Sequence, residues 1–159
     1  MARDLNPFTR AAVKVASSPV GAWYFINVTT KIDPWILKKT DGRFSSIIGQ
    51  PVLLLKHTGA KSGAARETPL VYAVDGNDIV LIASMGGSPK NPAWYHNLVA
   101  HPECEVIAKN RSGRYVAREV SGPERDRLWE LALDVYLGYN TYQARTGGRT
   151  IPVLVLSPA

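Results

Sequence analysis

The chain has 159 residues, of which 45% are hydrophobic and 20% are charged, and this composition is typical of one globular domain. Its single cysteine, Cys104, excludes an internal disulfide and is compatible with a reducing compartment. No apolar run is long enough to span a bilayer and no apolar leader follows Met1, so we expect a cytoplasmic protein.

The net charge is +6, and the positive excess lies in the first part of the chain. Residues 1–66 carry ten basic and three acidic side chains, whereas the remainder carries nine basic and ten acidic ones. This distribution indicates an anionic partner such as a phosphate or a lipid headgroup, or a charged surface that only aids solubility. We do not expect nucleic-acid binding, because the basic residues form no recognisable RNA- or DNA-binding motif.

Residues 1–46 are predicted to form an N-terminal helical segment. Three dipeptides in it combine a capping residue with a proline at the first helical position, namely Asn6-Pro7, Ser18-Pro19 and Asp33-Pro34. Gly42 is expected to end the last of these helices. Aromatic residues and lysines lie close together between residues 23 and 39, which is typical of helices at a membrane surface, or of helices that pack on a barrel.

Residues 47–159 are predicted to be rich in strands. Strands are expected within 51–58, in a hairpin over 68–84 that turns at Asp75-Gly76-Asn77, in a hairpin over 103–120 that turns between Asn110 and Gly113, and within 151–158. Helices are expected over 91–102, with Asn91 as the cap, over 122–139, and for a further turn over 139–146. Because hairpins outnumber crossovers, the pattern predicts an α+β fold in which about six mostly antiparallel strands close into a small barrel with flanking helices.

The stretch TGAKSGAAR, residues 58–66, connects two of these strands. It does not match the phosphate-binding P-loop, but Gly59 and Gly63 permit backbone amides to converge on an anion. Lys61 would add a point charge and Arg66 a planar fork of donors. The alternative is a plain hairpin turn with solvated basic side chains.

A second loop, ASMGGSPKNPAW, follows a strand, and its paired glycines would let the backbone approach a flat ligand or simply end the strand. Tyr136, Tyr139 and Tyr142 are spaced by three, so on one helix they would share a face that lines an aromatic pocket or packs in the core. The three histidines lack the spacing of metal ligands, and no Gly-x-Ser-x-Gly elbow is present. If the chain is an enzyme, a cofactor is therefore expected to carry the chemistry.

Four motifs together resemble the deazaflavin-dependent nitroreductase family. They are TGAKSGAARETPL, GNDIVLIASMGGSPKNPAWYHNLVAHPE, RLWELALDVYLGYNTYQART and IPVLVL, and the similarity extends from about residue 50 to the end of the sequence. The resemblance implies a split β-barrel, of the kind that also binds FMN, and the deazaflavin coenzyme F420, which carries a phosphate and a glutamate tail. It implies hydride transfer from the reduced coenzyme to a quinone, a nitroaromatic compound or a conjugated carbonyl. It also implies peripheral membrane contact, since some members associate with the inner face of the membrane.

The resemblance also assigns site residues. Those expected to bind the coenzyme are Leu54, Leu55, Lys56, Ala60, Lys61, Ser62, Gly63, Ala64, Ala65, Arg66, Pro69, Ala83, Ser84, Met85, Gly86, Asn91 and Trp94. Among them, Lys61 and Arg66 would bind the phosphate and Lys56 would attract the acidic tail. Those expected to face the acceptor are Trp94, Tyr136, Tyr139 and Tyr142. Ser84 and Tyr136 are the catalytic candidates, as donors to the oxygen that gains charge.

The sequence departs from the family pattern at three positions. Ala60 and Met85 stand where the family often has basic residues, and Val71 stands at a position that is aromatic in other members. The first two departures imply weaker coenzyme binding, or binding that depends more on Lys61 and Arg66. The third argues against activation of nitroimidazoles more than against coenzyme binding. Two alternatives stay open at this point: an FMN-binding split-barrel oxidoreductase, and a non-catalytic F420 carrier.

Overall fold

The structure, a computed structural model, describes residues 7–159, without the side chains of residues 8–10, 12, 13 and 26. Three helices precede the strands: α1 (Pro7–Ala16), α2 (Pro19–Tyr24) and α3 (Thr30–Thr40), with a π-helical turn over Phe25–Thr29 between the last two. The expected cap Asn6 lies outside the described residues. Ser18 caps α2 as predicted, because its Oγ accepts a hydrogen bond from Gly21 N at 3.1 Å.

The predicted helix start at Asp33-Pro34 is wrong, since both residues lie inside α3. Asp33 is buried, and its Oδ1 accepts a hydrogen bond from Ser46 N at 2.7 Å instead of capping its own helix. The predicted stop at Gly42 is confirmed: Asp41 adopts a left-handed conformation and Gly42 N donates to Leu37 O at 2.9 Å. The helix therefore begins earlier than predicted, and its acidic residue joins it to the loop before the first strand.

Seven strands form one antiparallel sheet within the described chain. They are β1 (Val52–Thr58), β2 (Ala65–Val71), β3 (Ala73–Asp75), β4 (Asp78–Ile82), β5 (Glu103–Ile107), β6 (Gly113–Val120) and β7 (Val153–Pro158). Their order in the sheet is β2-β1-β5-β6-β7-β4-β3. Only Tyr72 separates β2 from β3 along the chain, although these strands are the two edges of the sheet. The sheet must therefore curl until its edges meet, and the predicted α+β split barrel is confirmed.

Three clusters of buried side chains pack on the two faces of the curled sheet. The inner cluster includes Leu55, Leu81 and Val106 and is closed by Trp94 and Leu98 of helix α4 (Ala93–Ala100). A second cluster packs β4 and β7 against helices α5 (Gly122–Val135) and α6 (Gly138–Arg145). The smallest packs Leu37 of α3 on β1. Successive side chains of a strand point to opposite faces of the sheet, so alternate residues of one strand belong to opposite clusters.

Two local predictions about the later helices are wrong. Pro92, not Asn91, is the residue that precedes the first turn of α4, and α4 has no side-chain cap. Tyr136 does not share a helix with Tyr139 and Tyr142, because it is extended between α5 and α6, with φ −145° and ψ 103°. Asn91 has a distant partner in Arg149, and Tyr136 instead packs on Tyr139 and Tyr142 from the link between α5 and α6.

Candidate functional site

The loop between β1 and β2 satisfies most of its own backbone donors. Gly59 N donates to Ala64 O at 2.8 Å, and Gly63 N donates to Gly59 O at 2.9 Å. Gly63 has φ +65°, which favours glycine, so this residue type is needed for the turn. These two glycine amides are therefore engaged within the loop, and the backbone amides that could still contribute to anion binding are those of Lys61 and Ser62.

Two basic side chains beside this loop are exposed and suited to that role. Lys61 and Arg66 take part in none of the ion pairs between described side chains. Ser62 Oγ accepts a hydrogen bond from Ala64 N at 3.2 Å, which leaves its hydroxyl hydrogen free to donate. A point charge, a planar fork and a hydroxyl donor at one loop match the chemistry of a phosphate.

A buried hydrogen-bond network fixes the same loop to helix α4. Ala60 N donates to Asn97 Oδ1 at 2.8 Å, so the Asn97 amide nitrogen faces His57 Nδ1, at 3.1 Å. His57 Nδ1 must therefore accept, and its Nε2–H donates to Thr68 Oγ1 at 2.9 Å. Burial, and secondarily the charge of Arg66, lowers the pKa of His57 to about 4. His57 is neutral near pH 7, as this network requires.

The turn after β4 has three consecutive residues with positive φ. The φ values are +46° at Met85, +63° at Gly86 and +84° at Gly87. A left-handed conformation costs a non-glycine residue roughly 1–2 kcal/mol, so surrounding contacts must hold Met85 in it. Gly87 also lies against α6, because a Cβ there would be 2.7 Å from Tyr142 O.

Arg149 supplies most of the contacts that hold this turn. Its guanidinium donates to Ala83 O at 3.1 Å, to Ser84 O at 2.9 Å, to Ser88 O at 3.0 and 2.8 Å, and to Asn91 Oδ1 at 2.6 Å. Asn91 is therefore a ligand of Arg149 rather than a helix cap. The Arg149 guanidinium thus connects several residues of the segment 83–91. This segment contains Ser84, Met85 and Gly86, which are expected to lie along a ring.

Helix α4 separates the basic loop from the strained turn. Asn91, just before the helix, is bound to the turn through Arg149, and Asn97 on the helix is bound to the basic loop through Ala60. The helical part of this segment, from Ala93 to Asn97, rises by roughly 6 Å at about 1.5 Å per residue, and the extended residues before it add to the separation. The spacing suits a ligand that has a flat ring at one end and an anionic group at the other.

The three expected acceptor-side tyrosines form one cluster. Tyr136 and Tyr142 hydroxyls are 3.1 Å apart, and the rings of Tyr136 and Tyr139 meet edge to face with centroids 5.1 Å apart. Burial is the main cause that raises the pKa of each phenol, so all three stay protonated at neutral pH. Tyr139 and Tyr142 belong to the cluster under α6, and Tyr136 is only partly buried. Of the three, Tyr136 is the most exposed, and because Tyr142 donates to Ala16 O, the Tyr136 hydroxyl donates to Tyr142 Oη.

The N-terminal helices lie against both the tyrosines and the turn. Tyr142 Oη donates to Ala16 O at 3.4 Å, and Arg145 Nη2 donates to Ser17 O at 2.7 Å. A Cβ at Gly86 would be 3.2 Å from Ala22 Cβ. Residues 16–22, from the end of α1 into α2, therefore cover one side of the candidate site, an arrangement that the sequence did not predict.

Several expected coenzyme contacts have buried side chains. Leu54, Leu55 and Ala83 have no exposed surface, and Pro69 and Trp94 are also buried. These residues can reach a ligand only through their backbone or after a rearrangement. Lys56 is bound to Glu105, with Nζ 2.9 Å from Oε1, so attracting an acidic tail would require it to exchange this partner.

A groove of about 710 Å³ on the other side of β1 shares Lys56 and Arg66 with the basic loop. Its remaining charged lining is mixed and consists of Glu67, Glu103, Glu105 and Arg114. It does not include the turn over 84–88. The sequence pattern did not indicate His57, Asn97 and Arg149 as site residues, because each of them has hydrogen-bond partners that are far away along the chain.

The split barrel therefore carries a basic loop and a strained turn that are both hydrogen-bonded to the segment from Asn91 to Asn97, an arrangement that suits a cofactor. The family model described as F420H(2)-dependent quinone reductase matches residues 29–158. The chain belongs to this family, and it is an oxidoreductase of the F420H2-dependent class.

Individual relatives agree with this membership. The chain is 40% identical over 127 residues to the F420H(2)-dependent quinone reductase Rv1261c of Mycobacterium tuberculosis strain H37Rv, covering 77% of this chain and 85% of the relative. A solved F420-H2 dependent reductase (FDR-A) is 36% identical with a TM-score of 0.63, over 72% of this chain and all 100% of that one. A solved domain-swapped dimer is 34% identical with a TM-score of 0.64, over 78% and 98% of the two chains.

Two further findings concern residues 7–159. None of their helices combines the length and the apolar character that crossing a bilayer requires. Nor do any three or more of their His, Cys, Asp and Glu side chains converge in the way that metal ligands do.

Proposed function

We propose that this protein reduces a quinone with the reduced deazaflavin coenzyme, and that nitroaromatic compounds and conjugated carbonyls are further acceptors. The observation that carries the proposal is the pairing of two sites by α4, with unpaired cations at one end and a strained, glycine-rich turn at the other. Family membership favours the deazaflavin over FMN and favours catalysis over simple carriage.

The residues present fit the coenzyme. Lys61, Ser62 and Arg66 would hold the phosphate, while the turn at Ser84–Gly86 would lie along the ring. Lys56, released from Glu105, would attract the glutamate tail. When bound, the reduced coenzyme supplies a hydride, so the protein needs only to bind, align and shield the two reactants.

The acceptor side is proposed to be formed by Trp94 and the tyrosine cluster. A quinone that receives a hydride gains negative charge on one oxygen and takes up one proton to become a hydroquinone. Tyr136, whose hydroxyl remains protonated because burial raises its pKa, is proposed to exchange its hydrogen bond to Tyr142 Oη for one to that oxygen. Ser84, at the start of the turn, is the second proposed donor.

The test is a fluorescence titration of the purified protein with oxidised F420, with FMN in parallel, followed by turnover of F420H2 with menadione. Micromolar binding of F420, no binding of FMN and reduction of menadione would support the proposal. Binding of FMN alone would show that the coenzyme is FMN and not F420. Binding of F420 without turnover of any acceptor would favour a non-catalytic F420 carrier.

We also propose that the N-terminal helices contact a membrane surface. Val20, Trp23 and Tyr24 lie on one face of α2 and are exposed, as are Ile32 and Trp35 of α3. Lysines at 31, 38 and 39 are exposed on α3 as well. Aromatic side chains flanked by basic ones suit the interface of an anionic bilayer, where a lipid-soluble quinone would be found.

A further inference from the structure

Arg149 has an unusual set of partners for an arginine in a protein of this size. Its guanidinium makes five hydrogen bonds to four acceptors, and three of those acceptors are backbone carbonyls. None of the ion pairs between side chains of the described chain involves it. A guanidinium that binds backbone carbonyl oxygens instead of a carboxylate constrains the conformation of the backbone that carries them.

The backbone of Arg149 is itself fixed by helix α6. Gln143 Nε2 and Thr146 Oγ1 both donate to Arg149 O, each at 2.7 Å. Thr146 is almost completely buried, and it ends the helix that carries Tyr139 and Tyr142. Arg149 therefore connects the tyrosine-bearing helix to the turn at Ser84–Ser88.

The bonds to Arg149 also determine where the amides of the turn point. In a trans peptide the carbonyl and the following amide point in opposite directions. Ser84 O faces Arg149, so the Met85 N–H points away from it. In the described chain the backbone bonds of this turn use the amides of Ser84, Gly87 and Ser88, and the Met85 amide is not among them, so it can donate to a ligand.

We propose that Arg149 is a positioning residue for the coenzyme. By holding three carbonyl oxygens on its own side, it maintains the left-handed conformation at Met85 and presents the Met85 amide as a donor to a carbonyl-bearing heterocyclic ring. This inference rests on the proposed function for the identity of the ring, but the effect of Arg149 on the turn does not depend on any ligand.

The experiment compares Arg149→Lys with the wild-type protein by two measurements. The first is amide hydrogen exchange of Gly87 and Ser88 in the coenzyme-free protein, since these amides close the turn at 3.0 and 3.1 Å. The second is the dissociation constant for oxidised F420. Lysine keeps the charge but cannot bridge several acceptors in one plane, so we expect exchange at least tenfold faster and F420 binding at least tenfold weaker.

Arg125→Lys is the matched control, because Arg125 also donates to a backbone carbonyl, Ile151 O at 2.9 Å, but does not contact the turn. It should change neither measurement by more than twofold. If Arg149→Lys does not fold, Thr146→Val removes one donor to Arg149 O with little change in volume, and it should shift both measurements in the same direction by less.

Unchanged exchange in Arg149→Lys would overturn the role of Arg149 in the turn. Faster exchange with unchanged F420 binding would overturn its role in coenzyme binding. Absence of F420 binding by the wild-type protein would refute the proposed function, and the exchange measurement would still decide whether Arg149 shapes the turn.

Discussion

At the scale of single residues, the two cations of the β1–β2 loop have the most direct test. Removing Lys61 and Arg66 together as Lys61→Ala/Arg66→Ala should weaken F420 binding more than tenfold, which corresponds to about 1.4 kcal/mol or more. The physical reason is that the glycine amides of the loop are already bonded within it. Fluorescence titration at fixed ionic strength measures the effect.

The control for that experiment is Lys109→Ala/Arg118→Ala, which removes the same charge away from the loop. It should change the dissociation constant by less than threefold, because exposed charges beyond a Debye length of about 8 Å are largely screened. Equal weakening in both double variants would show a general electrostatic effect and argue against a phosphate site at the loop.

Tyr136 is the residue whose role depends most on its hydroxyl. Tyr136→Phe should lower kcat for menadione by roughly tenfold to a hundredfold while changing F420 binding by less than threefold, since the loss falls on a donor to the oxygen that gains charge. Steady-state kinetics and the titration separate the two effects. Tyr115→Phe, whose hydroxyl donates to Arg111 O at 2.8 Å, is the control. Equal losses in kcat and in binding would contradict an acceptor-side role.

The lowered pKa of His57 predicts how the stability of the folded protein depends on pH. Its pKa is lowered to about 4 in the folded state by burial and by Arg66, against about 6.5 in the unfolded chain. The unfolded state therefore binds more protons between these values. The contribution of His57 to the free energy of unfolding is complete above pH 6.5, is lost as the pH falls towards 4, and amounts to at most about 3 kcal/mol.

Urea unfolding at pH 7 and pH 4.5 measures this contribution. The wild-type protein should lose more stability between the two values than His57→Gln, because glutamine has no titrating group while carboxylates titrate equally in both proteins. Identical losses of stability in the two proteins would mean that protonation of His57 does not cause the pH dependence.

At the scale of elements, the turn over Met85–Gly87 and helix α6 form one packed unit. A Cβ at Gly87 would be 2.7 Å from Tyr142 O and 2.9 Å from Arg145 Cβ, and φ there is +84°. Gly87→Ala should therefore cost about 2–4 kcal/mol, the sum of left-handed strain and overpacking. Thermal unfolding measures the loss.

Gly76→Ala separates these two contributions. Gly76 has φ +61° in the Asp75–Asp78 hairpin but no heavy atom within 4 Å of an added Cβ, so its alanine variant should show the strain alone. If both variants lose the same stability, the contact between the turn and α6 contributes little.

At the scale of the whole molecule, the position of the N-terminal helices implies a membrane test. Trp23 and Trp35 are 61% and 65% exposed. Trp23→Ser/Trp35→Ser should reduce sedimentation with phosphatidylglycerol vesicles at least fivefold, since interfacial tryptophans supply the apolar contact. Val116→Ser, on β6, is the control. Undiminished binding to vesicles, or no binding by the wild-type protein, would refute the membrane contact.

The overall architecture follows largely from local patterns. The Asp75-Gly76-Asn77 turn, the turn between Asn110 and Gly113, the cap at Ser18 and the stop at Gly42 all depend on residues within a few positions of each other. Alternating apolar residues then place each strand between two layers. These features suffice for an antiparallel α+β barrel, which the structure confirms, although the pattern merges β2 and β3 into one strand.

The sequence by itself therefore determined most of the elements, the fold class, the family and the two candidate loops, because each rests on short-range chemistry or on motifs in fixed order. Only the tertiary structure decided how the loops are held. Asn91 meets Arg149 across 58 positions, and His57 meets Asn97 across 40. Such partners depend on which strands become neighbours in the sheet. A buried polar group takes whichever partner the packing brings within hydrogen-bonding distance, and no local pattern encodes that choice.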